Sequence, residues 1–133
     1  MGKGIYMRVE EILAKKGDNV HTISPSGSVH EAAVLLQDKG IGAVVCTDPT
    51  GGVVGIFSER DIARAVARHG WDSIDMSVAE TMTRDVITCR LDDDLEYLLT
   101  VMTETRCRHI PVVRDGIVIG LVSIGDLVKA KQE

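Results

Sequence analysis

Two serine–carboxylate pairs carry the chemistry that can be read from this chain. Ser58 and Asp61 follow the apolar run Gly55-Ile56-Phe57, and Ser123 and Asp126 repeat the pattern 65 residues later after Gly120-Leu121-Val122. In each copy an apolar strand hands a hydroxyl and an acid to the first turn of a helix. That spacing is also how many helices simply begin, because the hydroxyl accepts from the third backbone N–H and the acid answers the first. A carboxylate held there can in addition accept both hydroxyls of a ribose. The strand before it offers a flat surface and main-chain groups to a base.

Two further features sit in register with these pairs. Thr22 and Thr88 occupy matching places in the two halves; a threonine suits any strand, but a matched pair can line a cleft and meet a phosphate or a base edge. Arg106 and Arg108, with Cys107 between them and His109-Ile110-Pro111 after, form either a solvated turn or an anion site, since guanidinium groups suit phosphate geometry. The matching stretch of the first half, Gly40-Ile41-Gly42-Ala43, has only Lys39 and Arg60 nearby. The two clefts are therefore expected to differ, and the cleft holding Arg106, Arg108 and His109 is the better candidate for multiple phosphates. Asp92-Asp93-Asp94 reads as a helix start, where negative charge is favoured, with a divalent-ion site as the lesser alternative.

Composition narrows the classes. Lys and Arg total 15 against 20 Asp and Glu, a formal charge of −5, which argues against nucleic acid, whose phosphates call for a basic face. No apolar run has the length of a membrane span, and Met1–Tyr6 lack a signal-peptide apolar region; a soluble cytoplasmic protein is expected. Three cysteines with no Cys-x-x-Cys pair are not a disulfide framework, and Cys46, Cys89 and Cys107 read as buried thiols. The four histidines show no metal-ligand spacing with them. There is no nucleophile with a paired base, no twin-carboxylate arrangement and no Gly-x-x-x-x-Gly-Lys phosphate loop. Neither a catalytic residue nor a required cofactor or metal is expected.

The elements that must position these residues come in two series. Val9 to Leu13 is a short amphipathic helix ended by Gly17-Asp18-Asn19, and Val20–Ile23 a short strand. Ser28 caps a helix over 29–39 with Glu31 at the capping-box position, and Val29, Ala32, Ala33 and Leu36 share its inner face. Strands follow at 41–47 and 53–57 around the turn Asp48 to Gly52. A helix then runs from Ser58 to about His69, with Ile62, Ala63, Val66 and Ala67 inward. Trp71–Ser77 is the least patterned stretch and reads as a link. Val78 to Met82, the strand Val86-Ile87-Thr88, the helix capped by Asp94 with Leu95, Leu98, Leu99 and Met102, the strand at Ile110-Pro111-Val112-Val113, the turn Arg114-Asp115-Gly116 and the helix after Ser123 then replay the order. Two halves of about 60 residues are each too small to bury a core comfortably; equivalent sheets packing face to face with pseudo-two-fold symmetry are expected, leaving two equivalent clefts.

In these segments the chain resembles the cystathionine-β-synthase (CBS) domain pair, or Bateman module, over about residues 8–131. The carriers are Gly-Ile-Phe-Ser-Glu-Arg-Asp at 55–61, Gly-Leu-Val-Ser-Ile-Gly-Asp at 120–126, Arg-His-Ile-Pro-Val-Val at 108–113 and Val-Ala-Glu-Thr-Met-Thr at 78–83. It looks most like the stand-alone bacterial type. The resemblance implies an α+β fold of two β-α-β-β-α repeats, 8–70 and 78–131, joined by a linker at 71–77. It implies a regulatory module that binds AMP, ADP, ATP, S-adenosylmethionine or an NAD-type dinucleotide without transforming it. It also implies composite sites: Thr22, Gly42, Ala43 and Val44 with Ser123 and Asp126, and Thr88, Arg108, His109, Ile110 and Pro111 with Ser58, Arg60 and Asp61. Homodimers built on the outer helices, and a regulated protein partner, belong to the same implication. The alternative is an adapter that regulates a partner enzyme or transporter with no ligand.

Overall fold

The computed structural model describes residues 7–17 and 20–132. The expected calls on Met1–Tyr6 and on Asp18 and Asn19 lie outside the described residues. Helices α1 (Val9–Lys16), α2 (Val29–Lys39), α3 (Glu59–His69), α4 (Val78–Thr81), α5 (Leu95–Thr105) and α6 (Ile124–Gln132) alternate with strands β1 (Thr22–Ile23), β2 (Ala43–Thr47), β3 (Val53–Ser58), β4 (His109–Arg114) and β5 (Ile117–Ser123). The α+β order of helix, strand, helix, strand, strand, helix is complete in the first series and lacks its first strand in the second.

The compact units are not simply the first and second halves of the chain. One is continuous, His21–Val86; the other joins residues up to Val20 to Ile87–Glu133. The short leading helix of each sequence repeat thus belongs with the strands of the other repeat.

In the continuous unit the sheet order is β1-β2-β3, with β1 parallel and β3 antiparallel to β2. Its core holds Val29, Ala32, Leu36, Val44, Cys46, Phe57, Val78 and Met82. Ser28 forms the expected capping box with Glu31, and Gly40 ends α2 in the left-handed conformation at φ 62°. Only Val29, Ala32 and Leu36 of α2 are buried; Ala33 is half-buried at the margin. In α3 the inward face is corrected: Asp61 and Ala65 are buried, Ile62 is half-buried, and Ala63, Val66 and Ala67 face solvent. An i, i+4 pair led by a carboxylate occupies the place that periodicity gave to alanines and valine. The stretch taken for a bare link is folded: Gly70–Asp75 form a 3-10 helix in which buried Ser73 donates to the Gly70 carbonyl at 2.7 Å.

The other unit pairs β4 with β5 in a two-stranded sheet. The strand expected at Val86-Ile87-Thr88 is reduced to a single parallel bridge, Cys89 to Val112, held by hydrogen bonds from Cys89 N to Pro111 O and from Val113 N to Cys89 O, both 2.9 Å. Asp115 and Gly116 turn the hairpin with φ of 52° and 79°, the two left-handed positions that an Asp-Gly hairpin loop favours. The core gathers Val9, Ile12 and Leu13 of α1 with Leu95, Leu98, Met102, Ile110, Val112, Val122 and Leu127.

The same three hydrogen bonds dock each leading helix. In one unit Val9 N and Glu10 N donate to Asp93 O and Leu91 O, and Leu95 N to Met7 O. In the other, Val78 N and Ala79 N donate to Gly27 O and Pro25 O, and Val29 N to Met76 O. Helix-start N–H groups, which have no partner inside the helix, are satisfied in both. A glycine then lets each helix approach. A Cβ on Gly120 would meet the Leu13 methyls at 2.8 and 2.9 Å, and one on Gly55 would meet Met82 Sδ at 2.6 Å and Thr83 O at 2.9 Å.

Candidate functional site

The two Ser-x-x-Asp pairs sit where expected, at strand–helix junctions, but their surroundings differ. In the continuous unit β3 delivers Ser58, which pairs with Ala43 of β2, and Glu59 N donates to Gly42 O at 3.0 Å. The Asp61 carboxylate is 2% exposed. Its Oδ2 accepts from Ser58 N at 2.8 Å and Ser58 Oγ at 3.1 Å; its Oδ1 accepts from Thr83 Oγ1 at 3.0 Å and Arg64 Nη1 at 3.2 Å. A carboxylate offers about four lone-pair positions, so this one is saturated by its own unit. Burial of an ion is tolerated here because every position is met.

In the other unit β5 delivers Ser123 beside His109 of β4, and Ile124 N donates to Arg108 O at 2.9 Å. Asp126 Oδ2 accepts from Ser123 N at 2.8 Å and from Lys16 Nζ at 2.6 Å. Its side chain is 24% exposed. Burial pushes the Asp126 carboxyl up, but the hydrogen bonds from Lys16 and Ser123 and the Lys16 charge outweigh that and hold it below the ordinary carboxylate range. A lowered folded-state pKa contributes stability above the unfolded value of about 3.9, lost as pH falls through the folded value. Lys16→Met is therefore expected to shrink the loss of thermal stability on acidification below about pH 4. Melting curves across that range for both proteins check it; identical acid profiles would refute a functioning pair.

The remaining expected residues fall into two groups. The side chains of Ala43, Val44, Ile110 and Pro111 are buried, which leaves their main-chain groups for any ligand. Thr22, Thr88, Arg60, Arg106 and Arg108 are exposed, and Gly42 and His109 are half-buried. Arg106 ends α5 at φ 57°, where the matching residue ending α2 is Gly40 at φ 62°. Keeping an arginine in a left-handed position costs on the order of 1 kcal/mol, a cost that glycine avoids. Burial pushes the Cys46 and Cys89 thiols up to about 12, with added effects from the Asp61 and Asp93 charges. Both are inert packing groups. Among the described residues no cluster of three acids, histidines or cysteines is placed to hold a metal, and no helix is long and apolar enough to cross a membrane.

Lys16, Arg64, Thr83 and Lys129 escaped the sequence reading. Thr83 lies inside the quoted Val-Ala-Glu-Thr-Met-Thr segment, and Lys15-Lys16 form a doublet before Gly17, so position was visible but partner was not. The cavity beside Asp126, about 360 Å³, is lined by Met7, Ile12, Lys15, Lys16, Lys129 and Ala130.

Comparison with known proteins supplies the class. The CBS-domain family model matches twice, at residues 9–68 and 78–133. The chain belongs to the CBS-domain family and carries the domain in tandem. Among solved structures it is similar to the CBS-domain containing protein ATU1752 from Agrobacterium tumefaciens, at 44% identity and a TM-score of 0.90, covering 94% of this chain and 99% of that one. The CBS domain pair of protein MJ0100, solved with 5′-methylthioadenosine and S-adenosylmethionine, is 30% identical with a TM-score of 0.84, covering 93% and 94%. A 17.7 kDa protein of Acidianus ambivalens is 33% identical over 124 residues, which span 92% of this chain and 72% of that protein.

Proposed function

We propose that the protein is a regulatory module that binds an adenosine-containing nucleotide (AMP, ADP, ATP or NAD(H)) and performs no catalysis on it. The observation that carries the reading is the duplicated strand–Ser-x-x-Asp–helix junction, with Asp126 left partly open beside a cavity. A partly open carboxylate next to strand main chain suits a ribose and a base. The MJ0100 domain pair, of the same fold and 30% identical, holds two adenosine compounds, which supports the ligand class. In this reading Asp126 serves ribose directly and Asp61 does so only where a ribose hydroxyl replaces Thr83 or Arg64 on its Oδ1, Thr22 and Thr88 meet the base or phosphate edge, and Arg60, Arg106, Arg108 and His109 attract phosphate. Gly42, Ala43, Val44, Ile110 and Pro111 contribute main chain. The two repeats are taken as 8–70 and 78–131. Ligand binding shifts the population of module arrangements, read by a protein partner in the cytoplasm, and a homodimer is the assembly.

Calorimetric titration with AMP, ATP, NADH and S-adenosylmethionine, paired with thermal-shift measurement, tests it. Heat and a raised melting temperature are expected for at least one. Silence in both assays with all four at millimolar ligand leaves the ligand-free adapter reading in its place.

A further inference from the structure

The two units satisfy equivalent groups with different hardware. In the continuous unit Thr83 closes the β3 edge: its N–H donates to Ile56 O at 2.8 Å, its carbonyl accepts from Ile56 N at 2.9 Å, and its hydroxyl meets Asp61. In the other unit the residue matching Ile56 is Leu121, which pairs with Pro111 of β4 but, among the described residues, has no second bridge equivalent to that of Thr83. A single ammonium does both jobs: Lys16 Nζ donates to Leu121 O and to Asp126 Oδ2, each at 2.6 Å. The Thr83 backbone can leave the β3 edge only by breaking a β-bridge, which keeps its hydroxyl within reach of Asp61. Lys16 can leave by rotating a long, exposed side chain, on the nanosecond scale of rotamer exchange.

What lies beside Lys16 is the cavity of about 360 Å³, lined by Lys15, Lys16, Lys129 and Asp126; Lys16 and Lys129 alone outnumber the one carboxylate in that lining. Met7, Ile12 and Ala130 supply an apolar wall. The volume falls in the range of roughly 300–1,000 Å³ usual for small-molecule sites. An excess of positive charge over a partly apolar floor suits a phosphorylated ligand and disfavours a cationic one.

We propose that Lys16 is a movable latch on the Asp126 half-site, and that the lysine cavity takes the phosphate of a phosphorylated small molecule, Lys16 swinging from Asp126 and Leu121 O onto it. The latch selects nucleoside phosphates over neutral or cationic adenosine compounds, because only an anion offers Lys16 a charged acceptor in exchange for the one it gives up. This rests on the nucleotide reading for the identity of the ligand, but not for the anion site itself.

The experiment keeps the two apart. Inorganic pyrophosphate is titrated into the full chain, and the methyl resonances of Met7, Ile12 and Ala130 are followed by NMR. Saturable shifts at these three are expected, weakened about tenfold or more in Lys16→Met and Lys129→Met and largely retained in Lys16→Arg, as loss of a charged hydrogen bond implies. A parallel calorimetric arm compares AMP with 5′-methylthioadenosine: Lys16→Met should weaken AMP and leave methylthioadenosine unchanged or tighter, since Asp126 is then released. Unmoved methyl groups, or shifts equally strong in both methionine variants, overturn the latch even if AMP binds. Pyrophosphate shifts without any adenosine binding overturn the nucleotide reading and leave the anion site standing. Circular dichroism confirms folding of each variant.

Discussion

Asp61→Ala is expected to lower stability by about 3 kcal/mol, on the order of 10 °C in melting temperature, while Asp126→Ala costs only about 1 kcal/mol. The two aspartates hold equivalent sequence positions, so the contrast comes from their surroundings alone. Removing Asp61, itself 2% exposed, leaves a void in the packing and takes the acceptor from Ser58 N–H, the Thr83 hydroxyl and Arg64. Thr83 and Arg64 are exposed and can turn to water, so the penalty falls on the half-buried Ser58 N–H and on the lost charge-assisted bonds. It also removes the N3 half of the α3 capping box, leaving the Ser58 cap itself in place. Asparagine is a poor rescue, because its amide nitrogen would point a donor at donors. At Asp126, water reaches the abandoned groups. Urea unfolding of the ligand-free variants checks the difference, and equal losses would show that the saturation of Asp61 is energetically idle. Asp126→Ala is instead expected to act on ligand affinity, where nucleotide titration reads it.

Gly55→Ala is the second large effect, about 2–3 kcal/mol of destabilisation by overpacking. The added methyl lies 2.6 Å from Met82 Sδ and 2.9 Å from the Thr83 carbonyl. A thioether can bend away, but that carbonyl accepts from Ile56 N and is fixed by the bridge. Gly120→Ala meets only the Leu13 methyls, so it is expected to cost about 1 kcal/mol and to be largely relieved by Leu13→Val. Melting curves of Gly55→Ala, Gly120→Ala and the Gly120→Ala/Leu13→Val double variant decide it. A Gly55→Ala protein as stable as the parent would mean that α4 does not sit on β3 as described.

Much of the architecture was legible because each local signal had a copy to confirm it. The capping box at Ser28, the apolar spacing of α2 and α5 and the Asp-Gly turn all depend on neighbours within a few residues, where propensity and pattern act. What was not legible depended on partners far along the chain. The pattern of α3 suited an apolar inner face, yet Asp61 is buried because Thr83 and Arg64 satisfy it, and tertiary partners override periodicity. Residues 86–88 look like a strand, yet pairing is confined to Cys89. The candidate residues were found by repetition, and so their difference was missed. Repetition names Asp61 and Asp126 as one position; that one is sealed by threonine and the other latched by lysine is set by α1 and α4, whose sequences diverge at those points.

The docking of α1 also has a consequence for how the chain is made. The unit at His21–Val86 is continuous, so all its contacts are available once that stretch has left the ribosome. The hydrogen bonds of Val9, Glu10 and Met7 go to Asp93, Leu91 and Leu95, more than 80 residues downstream. Helix α1 is synthesised before the segments it docks against and must wait for them. A chain of eight residues is too short to hold a helix alone, and long-range closure is the slow step in small-domain folding. The nascent protein therefore carries its first apolar face, Val9, Ile12 and Leu13, uncovered through the making of an entire unit, and biogenesis sets an order that the symmetry of the finished repeats conceals.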